Sequence, residues 1–313
     1  NIYFSRVILP DPLGVLFAIS GLYFFGMTNF ISAILFALAL LQKPYFGVYL
    51  LPLIPELIKK EEFKKNIIFF FITTLPFVLW RYWTTLHPEG APFYKWAFNG
   101  DKIRFHPAWF RWLFGERIGI LILGTWGLIP FSYGIVRKLK NNFNLLLALS
   151  MLIYLVVVAT ANVRHDYYQI LIIPSIAMTL AIGTSYMWRH MKIILMLSLI
   201  TMFLISWDKI KPFYQINHPE LMVVGKIVDE TLPKDAKIII PYNGDTAFLY
   251  QTKRKGWPAV DDSIDNIIKR GADYYVSIDL GSADSVNFSK RFETIAKTNQ
   301  YIILDLHKEI LKK

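Results

Sequence analysis

The run Val163-Arg164-His165-Asp166-Tyr167-Tyr168-Gln169 lies between two apolar stretches, Leu145–Ala161 and Ile170–Met187. Ionisable side chains beside a membrane span bear a desolvation cost and mark function by default. Arg164 can hold two phosphate oxygens at once through its planar guanidinium. His165 and Asp166 can share a proton or hold a cation. Tyr167 and Tyr168 are amphipathic rings suited to the headgroup boundary. Together these groups describe a polar site at a membrane face that handles a charged lipid headgroup. The plain alternative is an interfacial belt of snorkelling side chains.

Other residues offer related chemistry from distant stretches. Asp11 stands in Leu9-Pro10-Asp11-Pro12-Leu13, at the mouth of an apolar stretch. It either caps the helix that follows or points a carboxylate into a cavity, toward a metal ion or a sugar hydroxyl. Lys43 is a lone cation between two short apolar stretches and precedes Pro44. It snorkels to the interface or binds phosphate beside a counter-charge. The segment Thr84–Arg117 mixes Lys95, Lys102, Arg104, Arg111 and Arg117 with Trp96, Trp109, Phe110, Trp112 and other rings. Such a segment suits the interface, rings down and cations toward anionic headgroups. Glu116-Arg117 is an internal ion pair or a site pair. His87 and His106 are too far apart for a zinc pair and read as loop residues. Arg254-Lys255-Gly256-Trp257 reads as a solvated turn with a packed Trp, or else as a sugar or phosphate contact.

These residues need elements to hold them. The 313-residue chain is 54% hydrophobic and 16% aromatic, with a mean hydropathy of +0.38. That exceeds an ordinary soluble protein. Apolar blocks of about 17–20 residues match a ~30 Å hydrocarbon core. The predicted spans are Leu13–Phe25, Phe30–Leu41, Tyr45–Ile58, Ile67–Trp83, Ile118–Val136, Leu145–Ala161, Ile170–Met187 and Ile193–Trp207. The expected fold is thus a polytopic α-helical membrane domain of about eight visible spans, residues 1–207, followed by a small soluble α/β domain, residues 208–313. Pro44 predicts a turn at Lys43-Pro44. The short loops Lys59–Lys65, Arg137–Lys140 and Arg189–Lys192 are basic and share one side, which the positive-inside rule makes cytoplasmic. The tail domain then lies outside the cytoplasm.

In that tail, Glu220–Thr231, Asp245–Gln251, Asp262–Arg270 and Ser289–Thr298 read as helices. Ala236–Pro241, Tyr274–Ile278 and Tyr301–Leu306 read as strands of a parallel sheet. No Gly-rich phosphate loop follows any strand, so no nucleotide cofactor is expected. The net charge of +11 sits in loops beside spans and suits membrane lipids rather than nucleic acid. With no cysteine, the chain has no disulfide and no Cys-based nucleophile or metal site.

Taken in order, several motifs resemble the GT-C glycosyltransferases, in particular the branch of dolichyl-phosphate-mannose–protein mannosyltransferases and aminoarabinose-transferase-like enzymes. The motifs are Arg6…Pro10-Asp11-Pro12, Leu41-Gln42-Lys43-Pro44, Trp109–Arg117, His165–Gln169 followed by Pro174, and Arg254–Trp257 with Gly271–Tyr275. The resemblance implies transfer of a sugar from a polyprenyl-phosphate donor to a lipid, glycan or protein acceptor on the non-cytoplasmic side. It implies that Asp11 matches a second acidic position near the donor phosphate. Arg6, Lys43, Arg117, Arg164, His165, Asp166, Tyr167 and Tyr168 are the expected substrate-binding groups. A divalent metal, with Asp11 or His165 as ligands, is compatible with it. The family's principal catalytic acid sits in a loop upstream of the matching region and is expected to precede Asn1. Two other classes fit the residues: a transporter or flippase of lipid-linked sugars, and a non-catalytic membrane scaffold. Transporters place ionisable groups near the midplane in paired repeats, whereas here they gather at span ends.

Overall fold

A computed structural model describes residues 9–87, 96–138, 142–215 and 218–310. It is mostly helical, 71%, with a small C-terminal sheet. The chain divides into two compact units, Asn1–Tyr214 and Gln215–Lys313.

The helical unit opens with two 14-residue helices, α1 (Asp11–Phe24) and α2 (Asn29–Gln42). At 1.5 Å per residue each is roughly 21 Å long, short of a bilayer core. At Lys43 the backbone turns extended, with φ −154° and ψ 136°. Pro44 disfavours helix at the residue before it and opens the 3-10 segment Pro44–Leu53. Gly14 of α1 sets how closely that segment approaches. A Cβ there would meet the Phe46 ring at 2.2 Å. Gly14 is one helical turn after Asp11, and Phe46 is three residues after Lys43. The same close contact therefore draws Asp11 and Lys43 together.

Among the described residues, three helical runs are long and apolar enough to cross a membrane: α3 (Phe63–Leu86), Asp166–His190, and the run that opens with α7 (Lys192–Ile210). The eight predicted spans are corrected on this point. The stretch Tyr45–Ile58 is a 3-10 segment followed by the four-residue helix Ile54–Leu57. The stretch Ile118–Val136 is split between a π-helix, Arg111–Ile122, and α4 (Leu128–Lys138). The break falls where Gly124 and Thr125 take positive φ, 49° and 57°, a left-handed pair that ends a helix. In Leu145–Ala161, α5 (Asn142–Val157) ends before the short helix Ala159–Arg164. Hydropathy counts apolar residues and is blind to such breaks. The 3-10 segment Asp166–Ile172 then leads into α6 (Ile173–His190).

The core of this unit is aromatic. Phe36, Phe46, Tyr49, Phe69 and Tyr154 are almost fully buried. The two buried phenols donate to backbone carbonyls, Tyr49 Oη to Leu171 O at 2.5 Å and Tyr154 Oη to Tyr168 O at 3.0 Å. Each hydroxyl is thus satisfied, as burial demands. Both bonds tie the 3-10 segment Asp166–Ile172 to the elements around it.

In the second unit, five strands form one sheet in the order β2-β1-β3-β5-β4. They are β1 (Lys237–Ile239), β2 (Lys255–Trp257), β3 (Tyr274–Ser277), β4 (Phe292–Lys297) and β5 (Ile302–Glu309). The first three are mutually parallel, whereas β5 and β4 add antiparallel. The expected all-parallel sheet is thus corrected to a mixed one. Neighbouring residues on β1 point to opposite faces, as strand geometry requires: Ile239 joins Tyr275 and Phe292, while Ile238 joins Val276 and Val228. Helices Pro219–Thr231, Ile264–Lys269 and Ala283–Arg291 accompany the sheet. Ser263 and Ser282 cap the last two by accepting from the backbone N–H three residues on. Two sequence readings fail here. The expected helix Ser289–Thr298 ends at Arg291, and Phe292–Lys297 is a strand. The expected turn at Lys255-Gly256-Trp257 is the edge strand β2, with Arg254 buried behind it.

Candidate functional site

Asp11 is the first residue of α1 and only 2% exposed. Both its carboxylate oxygens accept from Lys43 Nζ, at 2.9 and 2.8 Å. So the carboxylate faces Lys43 rather than the backbone N–H groups of its own helix, and the capping alternative falls. Lys43 also lies over two rings, 4.6 Å from the Tyr168 centroid and 5.6 Å from that of Tyr167. A desolvated cation over an aromatic face gains further attraction. Tyr45 packs against Tyr154 and Tyr168 and continues the aromatic wall.

A second pair stands beside this one. Arg117, on the π-helix, donates from Nη2 to Val163 O at 3.2 Å and brings Nη1 within 3.8 Å of Asp166 Oδ2. The latter is an ion pair without a hydrogen bond. The Arg117 Nε is buried with no partner. The third pair is Arg164 with Asp101, at 3.1 Å. Asp101 also accepts from Thr160 Oγ1 and from the Ile103 N–H. Burial alone would raise the Asp101 carboxyl, but the bonds from Thr160, Arg164 and Ile103 outweigh it and hold the group below its ordinary value. Arg164 makes no ion pair with the Asp11–Lys43 group. The site is therefore three ion pairs, not one ring of free cations.

His165 joins them. Its ring contacts Trp96 at 5.5 Å, Tyr167 at 5.2 Å and Tyr168 at 6.0 Å between centroids. Burial pushes the imidazole down from its ordinary value, Asp166 opposes that, and Arg117, Lys43 and Arg164 add to the fall. The net effect favours the neutral ring, which can accept a proton. Lys43, Arg117 and Arg164 each face one carboxylate, so the formal charge of the three pairs sums to zero. An arriving phosphate would compete with Asp11 and Asp166 for cations already partnered.

Of the sequence-derived groups, Asp11, Lys43, Arg117, His165, Asp166, Tyr167 and Tyr168 come together, and Arg164 stands at the edge, 64% exposed at its side chain. Arg6 lies outside the described residues. So does the stretch 88–95 of the aromatic loop. Among the described residues no three His, Asp or Glu side chains gather as a ligand set. Sequence reasoning missed Asp101 and Thr160 and named Trp96 only as one ring of the interfacial segment. A carboxylate inside the cationic, aromatic segment, in Asn99-Gly100-Asp101, was the available signal for the first.

Asp166 and Gln169 also line a cavity of about 570 Å³, with Ser206 and apolar side chains of α7 and the π-helix. It adjoins the polar cluster through Asp166.

Comparison of the chain with protein-family models, with curated proteins and with solved structures finds no match.

Proposed function

We propose that this chain is an integral membrane glycosyltransferase, which moves a sugar from a polyprenyl-phosphate donor to an acceptor hydroxyl on the non-cytoplasmic face. The observation that carries the proposal is convergence: Asp11, Lys43, Arg117 and His165–Tyr168, from four separate stretches, meet at the ends of apolar helices. The motif resemblance supports the same reading. The basic character of the short loops Lys59–Lys65, Arg137–Lys140 and Arg189–Lys192 in the sequence supports the orientation.

The reaction is a single displacement. The acceptor oxygen forms a bond to the anomeric carbon while the bond from that carbon to the phosphate oxygen breaks, and the electron pair leaves with the phosphate. The acceptor proton passes to a carboxylate. Lys43 and Arg117 hold the departing phosphate, whose charge grows as the bond breaks. Their present pairing with Asp11 and Asp166 keeps both cations positioned before substrate enters, and the Tyr167 and Tyr168 rings offer faces for the sugar.

The test uses the full chain in lipid nanodiscs with radiolabelled polyprenyl-phosphate sugar and a membrane-lipid extract as acceptor. Label should move to the acceptor fraction, and Arg117→Gln should slow that movement. Passage of intact donor across sealed vesicles without transfer would establish a flippase instead. Neither transfer nor passage, with donor bound or unbound, would end the enzymatic reading.

A further inference from the structure

The cavity beside Asp166 has features that the phosphate chemistry above does not use. At about 570 Å³ it falls within the size of small-molecule sites. Leu121, Ile173, Leu199 and Phe203 supply apolar wall. The polar groups are gathered by the helix hairpin. Asp166 and Gln169 stand at the start of the run Asp166–His190, and Ser206 near the end of α7, which returns alongside α6.

Gln169 is 2% exposed. Its Nε2 donates to Asn162 O at 2.6 Å, to Asn162 Oδ1 at 3.1 Å and to His165 O at 3.3 Å. Three acceptors around one end of the amide set its orientation, with nitrogen toward them and Oε1 away. That Oε1 is buried and has no partner, and neither has Ser206 Oγ. A buried amide oxygen left unpaired is costly and calls for a donor. We propose that this cavity binds a membrane lipid with a neutral hydroxyl head, its chain along the apolar walls and its O–H donated to Gln169 Oε1.

Charge selects the head. An anionic head would meet the Asp166 carboxylate and the Gln169 carbonyl, both acceptors. A cationic head would meet the Asp166 carboxylate, whose charge Arg117 at 3.8 Å already offsets. A neutral hydroxyl donates where donation is wanted and brings no charge. The proposal goes beyond the transferase reading, and binding is measured without any transfer.

Native mass spectrometry of the full chain, released from detergent, tests it. The chain is titrated in turn with oleyl alcohol, oleyl methyl ether, oleate and oleylamine. One alcohol per chain should be retained, about tenfold more tightly than the ether, which lacks only the donor. Leu199→Trp should displace it by filling the cavity, and Gln169→Leu should erase the preference for alcohol over ether. If Gln169→Leu does not fold, the alcohol–ether ratio on the unaltered chain still decides. Equal retention of all four, or tighter binding of oleate or oleylamine, would overturn the assignment. A chain that retains the alcohol yet transfers no sugar would leave this site standing and the transferase reading refuted.

Discussion

Two arginines in the two units show what separates a scaffold from a site. Arg254 in the tail unit is satisfied at every nitrogen. Its Nε donates to Pro233 O at 2.7 Å, Nη1 to Asp229 Oδ1 at 2.7 Å, and Nη2 to Leu232 O at 2.8 Å. Lys234 also binds Asp229 Oδ1, and Lys253 binds Oδ2. Arg117 in the helical unit has a backbone bond from Nη2, an ion pair at 3.8 Å and a buried Nε without a partner. A saturated polar network holds its elements in one arrangement. An unsaturated one, next to a cavity, has donors to offer. Buried charge by itself does not distinguish the two; the count of unused donors and acceptors does.

The comparison breaks most readily at Arg254. Arg254→Met should cost about 3–5 kcal/mol, because five backbone carbonyls, of Asp229, Leu232, Thr252, Lys253 and Pro233, lose their donor. Hydrogen exchange of the tail segments in the full chain would show it, with transfer activity unchanged per folded molecule. A loss under about 1 kcal/mol would mean that the network is not structural. Next comes Lys43→Met, which strands the Asp11 carboxylate and should cost about 3 kcal/mol. Adding Asp11→Asn should recover more than half of that in denaturant unfolding. If the double variant is no better than the single one, the two residues are not coupled. Gly14→Ala tests the same pair indirectly. The added methyl meets the Phe46 ring at 2.2 Å, so it should lower stability by roughly 1–3 kcal/mol.

Arg117→Gln sharpens the contrast from the other side. With one direct hydrogen bond lost, stability should fall by only about 1 kcal/mol, yet transfer should drop about 100-fold under the proposed mechanism. A matching fall in both would place Arg117 with Arg254 as scaffold. The smallest effect belongs to pH. Asp101 titrates below its ordinary value in the folded chain, so its stabilising contribution is full above the unfolded value, about 4. It is lost as pH falls through the folded value. The stability difference between the native chain and Asp101→Asn should therefore shrink on acidification below about pH 4. A difference that stays constant would remove Asp101 from the charged state assigned to it.

Much of this was legible in the residues. The break at Lys43-Pro44 follows from proline sterics, and the chain does turn there. The β-branched run Lys237–Ile239 is a strand between two covered faces. Elsewhere local pattern misled. Phe292–Lys297 passed for the end of a helix, and it lacks a clean alternation, since Phe292 is inside while Glu293, Thr294 and Ile295 are all exposed. Pairing with β5 across the turn closed by Thr298 N–H to Tyr301 O settles it as a strand. Span number failed for a related reason. Hydropathy is summed along the chain, whereas a helix ends at single backbone positions such as Gly124-Thr125.

The sequence by itself determined the cast of polar residues at the ends of apolar stretches, a mostly helical unit and a small α/β tail, because hydropathy, proline and β-branching act over a few residues. Only the tertiary structure decided who faces whom. Asp11 meets Lys43 across 32 residues, and Arg164 meets Asp101 across 63. Such pairings depend on how helices pack, here on a glycine that admits an aromatic ring. The empty valence on Gln169 is likewise invisible in sequence, since an unmet hydrogen bond exists only once every neighbour is in place.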